Sequence, residues 1–309
     1  MNDNTATVID VGSGTTLATL PTGRAPHEIA VTKDGLWAVI TNYGDRGVTG
    51  RSLTVLDLTT VTVARTIPME IYERPHGVAV LPGDSLVVVT SEVQGVVVLV
   101  HLHTGEIVAT IPTEGLTSHM LTADARGERI FTTNIRDGTI SELDVVNRVH
   151  VRTLEVAPFV EGLTVSPDGR QVWVGSNREK TVSVVDVEAG RVVDVLDGFG
   201  FPYRMAITPD GATAVLADPA NGEIRIVDTA TRREIHRIRV SAEGLAESAE
   251  FPGSASPEGI AMSRDGRRAF VSLQGRNQVA ALDLASGSIV ATWDTGVWPD
   301  GIGFAPPIR

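Results

Sequence analysis

Residues 160–196 read VEGLTVSPDGRQVWVGSNREKTVSVVDVEAGRVVDVL, four short runs rich in Val, Ile and Thr with turns between them. The runs GLTVS, QVWVGS, TVSVVDV and RVVDVLD are bounded by Gly, Asp, Asn or Pro, as strands are, and none has the apolar spacing of a helix. The first half of this plan recurs in APHEIAVTKDGLWAVITN, RPHGVAVLPGDSLVVVTS, TSHMLTADARGERIFTTN, FPYRMAITPDGATAVLAD and SPEGIAMSRDGRRAFVSL. Counted from His27, the equivalent residues are His76, His119, Glu161, Tyr203, Glu258 and Asp300, at steps of 49, 43, 42, 42, 55 and 42 residues. Four short strands in a unit of roughly 40–45 residues is the period of a propeller blade. The sequence therefore predicts an all-β, seven-bladed β-propeller formed as a single domain over residues 1–309.

The two ends read as parts of one blade. TATVIDVGSGTTLATLPTG matches the last two strands of a unit, as in QVAALDLASGSIVATWDTG, and WPDGIGFAP matches a first strand. The expectation is a last blade closed by N-terminal and C-terminal strands, which leaves the ring without a free edge. No stretch corresponds to that blade's second strand, so it is expected to be three-stranded, or the chain to be shortened at one end.

The phrases VSPDGRQVWVGSNREKTVSVVDVEAGRVV and AVITNYGDRG resemble the YVTN family of seven-bladed propellers over essentially the whole chain. The resemblance implies the fold strongly and an activity weakly. That family includes binding proteins without known catalysis, and the neighbouring propeller families include lactonases and metal-dependent lyases.

Composition narrows the partners. A formal charge of −12 argues against a broad phosphate-binding surface. No apolar tract is long enough to span a bilayer, and MNDNTATVID has neither the basic nor the apolar region of a signal peptide. These readings predict a cytoplasmic protein, a small-molecule substrate, and neither nucleic acid nor membrane as partner. A closed ring has no free sheet edge, so a monomer is expected. With no cysteine, disulfides, thiolate zinc sites and Cys nucleophiles are excluded. There is no GxSxG elbow, HExxH pair or P-loop.

In a propeller the loops before first strands and after second strands meet at one channel mouth. His27, His76, His119, Glu161, Tyr203, Glu258 and Asp300 then face one another. Each residue alone is ordinary in such a turn, but three consecutive blades supply His and the fourth supplies Glu. Imidazoles with a carboxylate are ligands for zinc, iron, manganese or copper. The expected divalent metal ion is held by His27, His76, His119 and Glu161, and Glu258, Tyr203 and Asp300 serve proton transfer. Glu28 and Arg204, one position further on, add a carboxylate and a cation for substrate. Tyr72, Phe159, Phe201, Phe251 and Trp298 precede the motif heads and are expected to rim an apolar pocket. The arginines of the loops after second strands, Arg136, Arg178 and Arg276, are candidates for holding an anionic substrate.

Two insertions, NYGDRGVTGRS and SAEGLAESAEFPGSASPEG, are read as long loops on the same face. The leading expectation is a metal-assisted enzyme, with lyase, hydrolase and oxygenase chemistry left open. A non-enzymatic propeller that binds a protein or ligand, and a metal-free acid–base enzyme, are the rivals. His101 and His103, on an outer turn, are read as surface residues.

Overall fold

A computed structural model describes residues 1–241, 243 and 251–306. Its strands, in chain order, begin with β1 (Thr5–Ile9) and β2 (Thr16–Pro21). Blade one holds β3 (Pro26–Val31), β4 (Trp37–Gly44), β5 (Thr49–Asp57) and β6 (Thr62–Pro68). Blade two holds β7 (Pro75–Val80), β8 (Leu86–Ser91), β9 (Val96–His101) and β10 (Ile107–Pro112). Blade three holds β11 (Ser118–Ala123), β12 (Arg129–Asn134), β13 (Thr139–Asp144) and β14 (Val149–Glu155). Blade four holds β15 (Val160–Val165), β16 (Gln171–Ser176), β17 (Thr181–Asp186) and β18 (Arg191–Leu196). Blade five holds β19 (Met205–Ile207), β20 (Thr213–Asp218), β21 (Glu223–Asp228) and β22 (Glu234–Arg239). Blade six holds β23 (Pro257–Met262), β24 (Arg268–Leu273), β25 (Gln278–Asp283) and β26 (Ser288–Asp294).

Each of these six sheets is antiparallel and keeps its strands in sequence order. The sequence predicted seven blades, and the structure corrects that count. Six are four-stranded, and the remaining sheet is the two-stranded hairpin β1–β2. The expected closure by strands from both ends is not formed either, because residues 295–306 contain no strand.

Apolar residues of facing sheets make the core. Val39, Leu53 and Val55 of blade one meet Val87, Val89 and Val98 of blade two, and Trp173 and Val182 of blade four meet Ala214 and Leu216 of blade five. Alternation along the strands puts one apolar set on each face of a central sheet, as two-sided burial requires.

The first turn of a blade is fixed by a recurrent Ser/Thr-x-Asp-Gly. In blade one, the Thr32 hydroxyl donates to Asp34 Oδ1 at 2.5 Å, and Gly35 adopts φ +81°. Ser166 with Asp168, Thr208 with Asp210 and Ser263 with Asp265 repeat the bond.

Five of the six first strands also break their ladder at the motif head, and β19 of blade five does not. The register shifts fall between Pro26 and Ile29, Pro75 and Val78, Ser118 and Leu121, Val160 and Leu163, and Pro257 and Ile260. The backbone groups freed there must find other partners. A hydroxyl on the second strand supplies one. Thr41, Thr90, Thr133 and Ser272 accept from the N–H of Glu28, Gly77, Met120 and Gly259 at 2.8–3.1 Å. Three of these hydroxyls then donate to the next motif head: Thr90 to the His119 carbonyl, Thr133 to that of Glu161, and Ser272 to that of Asp300. One side chain thus fixes its own blade's bulge and latches the following blade at the channel.

Candidate functional site

The latched turns bring the motif heads together as the repeat predicted. His76 lies between two other imidazoles, with ring centroids 4.1 Å from His27 and 3.5 Å from His119. His119 Nε2 stands 2.6 Å from Glu161 Oε1, and its Nδ1 pairs with Glu92 Oε1. His27 Nδ1 is 2.8 Å from Asp300 Oδ2 as an ion pair, without the alignment of a hydrogen bond. Arg204 donates through Nε and Nη2 to Glu28 Oε1 at 2.9 and 2.6 Å, and through Nη2 to the Tyr203 hydroxyl at 3.2 Å. Its Nη1 lies 3.6 Å from Glu161 Oε1. Gln274 Nε2 donates to Glu258 Oε2 at 2.8 Å.

Sequence reasoning missed a second layer. Near the end of the second strand or one residue past it, four blades bring a further polar side chain to the mouth, giving Tyr43, Glu92, Asn177 and Gln274. The Tyr43 hydroxyl donates to Glu92 Oε2 at 2.6 Å, and Asn177 donates to Glu161 Oε2 at 3.3 Å. The signal was present in the alignment of the repeats, one position beyond TN, TS, GS and SL. The loop arginines Arg136, Arg178 and Arg276 lie one or two residues beyond that position. Of those, Arg178 is stacked over Phe159 at 3.9 Å.

Electrostatics sorts the three imidazoles. Burial alone pulls His27 down, but Asp300 and Glu28 beside it outweigh that and hold it at about 10. Burial likewise opposes protonation of His119, and Glu161 and Glu92 hold it at about 9. His76 has no carboxylate of its own. Burial first, then the charges of His119, His27 and Arg204, push it well below the ordinary imidazole value. Glu28 and Glu161 resist the upward pull of burial. Arg204 with His27 holds Glu28 at about 2, and His119 with Arg204 and His27 does the same for Glu161. Tyr203 is pushed well above its ordinary value by burial, so it is a proton donor or a hydrogen-bond partner and not a base at neutral pH.

Several buried polar atoms here have no hydrogen-bond partner: both ring nitrogens of His76, Nη1 of Arg204, Oδ1 of Asp300 and Oε1 of Gln274. A buried unsatisfied polar atom costs about 1–3 kcal/mol. Several together mark a place built for something besides stability.

Two ligand sets form around His76. His27, Glu28 and His76 make one, and His76, Glu92 and His119 make the other, with candidate ligand atoms in each within 4.8 Å of one another. Tetrahedral bonds of roughly 2.0–2.1 Å place ligand atoms about 3.4 Å apart, so modest side-chain rotation closes either set. Glu161, expected as a ligand, falls in neither and instead contacts the outer nitrogen of His119.

The aromatic rim is only partly assembled. Phe201 packs near Tyr203 and Phe251, with centroids 5.8 and 5.1 Å away. Tyr72 packs against the core between blades one and two, so it is not a rim residue. Phe159 is exposed beneath Arg178, and Trp298 contributes a backbone carbonyl to the Met1 amine at 2.8 Å. The first insertion is not an irregular loop, because it extends β4 and β5 into a longer hairpin turning at Asp45. Residues 242 and 244–250 of the second insertion lie outside the described residues.

The fold and this polar mouth define a β-propeller with a buried ionisable centre. Residues 134–299 match the choice-of-anchor I domain, and the chain belongs to that family. Among solved structures, the chain is similar to Kuenenia stuttgartiensis hydrazine synthase, at TM-score 0.77 and 19% identity over 93% of this chain and 91% of that one. It is also similar to the β-propeller domain of Myceliophteria thermophila Cps50 (Swd1), at TM-score 0.75 and 13% identity over 98% and 93%. At such identities the likeness shows the fold alone. Among curated proteins none matches. The YVTN resemblance agrees with these findings as far as the propeller. Among the described residues, no helix is long and apolar enough to cross a membrane.

Proposed function

We propose that the channel mouth is a divalent transition-metal centre, for zinc, iron, manganese or copper, acting on a small oxygen-bearing molecule. The observation that carries this is His76, which is wholly buried, pushed towards its neutral form, and has neither ring nitrogen paired. A neutral imidazole with a free nitrogen is a metal ligand in waiting, and it adds nothing to stability in that state.

His76, Glu92 and His119 are the better of the two sets. Using Glu28 as a ligand would take it from Arg204, whereas Glu92 already has Tyr43 orienting its other oxygen. His119 bound through the nitrogen that faces Glu92 presents the other to Glu161, the carboxylate–histidine arrangement that orients metal-bound imidazoles. Three protein ligands leave a position for water or substrate. The ion would supply Lewis-acid polarisation of a substrate oxygen. Arg204 offers Nη1, which makes no hydrogen bond, to charge developing on that oxygen, Asp300 offers a carboxylate oxygen without a hydrogen bond for proton transfer, and Tyr203 stays protonated beside them. We read β1–β2 and residues 299–306 as the rudiment of a seventh blade that completes the mouth by contributing Asp300.

Elemental analysis of protein purified without a nickel column tests the reading. Near-stoichiometric metal, lost in His76→Ala and Glu92→Ala and retained in His101→Ala, supports it. No metal in any protein, and no binding of added zinc, iron, manganese or copper at micromolar concentration, overturns it.

A further inference from the structure

Beside the six blades, the hairpin β1–β2 and residues 299–305 stand where a further blade would be. β1 and β2 pair with a register shift between Val8 and Ile9, the fourth and fifth residues of β1. The third and fourth strands of blade six shift at the same place, between Ala281 and Leu282, and those of blade four between Val184 and Val185. The hairpin is therefore the outer half of a blade. Residues 299–305 hold the place of its inner strand. A Cβ on Gly301 would meet the His27 carbonyl at 2.3 Å, as one on Gly259 would meet that of Asp300 at 2.2 Å. Phe304 stacks on Phe270 of blade six at 5.1 Å.

Between inner and outer halves lies a gap where the other blades carry their second strand. It is lined on one side by Phe270, Val279 and Trp293 of blade six, and on the other by Ala38, Ile40 and Leu56 of blade one. The cavity there has a volume of about 220 Å³. Among the described residues β1 has β2 as its one neighbour, so its other edge presents unpaired ladder groups to the gap.

Two bonds at the mouth end show what belongs there. In blades one, two, three, four and six, a residue near or just past the end of the second strand donates its N–H to the carbonyl of the residue before the first strand. Examples are Tyr43 to Ala25, Asn177 to Phe159 and Gln274 to Ser256. The Met1 amine makes this bond to Trp298 at 2.8 Å. In blades two and six a second-strand hydroxyl also joins the Gly77 or Gly259 N–H to the next motif head. At the seventh position, with no such hydroxyl, the Gly301 N–H bonds directly to the His27 carbonyl at 2.9 Å.

We infer that this gap takes one extended β-strand of about six residues, supplied in trans by a partner polypeptide. The strand runs towards the mouth, lies antiparallel to β1, and ends beside the Met1 amine. The six second strands give its chemistry: apolar residues at the second and third positions, an apolar or β-branched residue at the fourth, and at the fifth a Ser or Thr, as in four of the six, to join Gly301 to His27. Main-chain bonding to two edges supplies affinity, and the two apolar walls select the side chains.

The test places the Arg268–Leu273 sequence, RAFVSL, directly ahead of Met1 in the full chain, and compares it with RAFPSL at the same place. Proline cannot donate to the ladder, and the two extensions are otherwise alike. The same peptides, flanked by lysines, are also added in trans to the unextended protein while tryptophan emission, to which Trp293 at the gap contributes, is followed. The inferred site gives RAFVSL a thermal midpoint about 5 °C or more above RAFPSL, and the peptide in trans shifts the tryptophan emission where its proline counterpart does not. Equal midpoints for the two extensions overturn the inference. So does stabilisation by benzene with no difference between the extensions, which would make the gap a pocket for a small apolar molecule. Metal content plays no part in the readout, so the result is independent of the metal centre.

Discussion

His76 and His119 lie with ring centroids 3.5 Å apart and planes tilted by 33°, and the buried His76 ring has no hydrogen-bond partner at either nitrogen. A fold selected for stability alone would place an apolar side chain there. His76→Leu, in protein stripped with EDTA, is expected to be more stable than the parent by about 1–3 kcal/mol, because it removes two unsatisfied buried atoms at similar volume. That amounts to several degrees in thermal midpoint for a chain of this size. The same substitution abolishes metal retention. A destabilised His76→Leu protein would mean that the imidazole serves packing after all.

Thr90 carries a different load. Its hydroxyl accepts from Gly77 N–H at 2.9 Å and donates to the His119 carbonyl at 2.5 Å, wholly out of solvent. Thr90→Val keeps the shape and leaves one donor and one acceptor stranded, at a cost of about 1–3 kcal/mol in urea unfolding. Thr90→Ser restores most of it. Because the latch sets the position of His119, the valine variant should also bind metal more weakly, while the serine variant should not. Equal stability of all three proteins would show that the hydroxyl bonds are replaceable by local adjustment.

Proton binding gives a stability profile with a defined sign. In the metal-free folded protein His27 and His119 bind protons up to about 10 and about 9, above their ordinary 6.5. The folded state therefore holds more protons than the unfolded one between those values, and stability falls as pH rises through that window. The contribution is full below pH 6.5 and gone above about pH 10. His76, pushed the other way, matters only below 6.5, and Glu28 and Glu161, held at about 2, matter only below their ordinary 4.5. Urea midpoints in EDTA at pH 6.5, 8 and 9.5 should decline, and His119→Gln should flatten the slope. A level profile across this range would remove the carboxylates as the source of the shifts.

The repeat made the propeller legible because each blade rewrites the same turn, and the heads of those turns were legible for the same reason. The blade count was not. Periodicity registers a unit whenever its first strand recurs, so WPDGIGFAP counted as a blade although residues 295–306 form no strand. The ligand set was half legible. His76 and His119 stand at the motif head, but Glu92 enters from the end of a second strand, and its approach to His119 depends on how neighbouring blades are rotated. Tyr72 misled for a related reason. It precedes a motif head in sequence, yet the turn at Met69–Tyr72 directs it to the core between blades one and two.

Least legible was the pairing of Glu28 with Arg204, 176 residues apart and across the channel, both buried. Arg204 makes two bonds to one carboxylate oxygen, at 2.9 and 2.6 Å, so losing either residue leaves the other's charge stranded. Glu28→Leu and Arg204→Met are each expected to cost about 3–5 kcal/mol, as for other broken buried pairs. Glu28→Leu combined with Arg204→Met leaves no stranded charge and should recover most of that loss, because an apolar replacement of a whole buried pair is often neutral. Urea unfolding of the four proteins measures the coupling. Strictly additive losses would show that the pair is held by its surroundings and not by each partner. Metal content adds a second readout: the double variant should keep its metal if His76, Glu92 and His119 are the ligands, and should lose it if Glu28 is one.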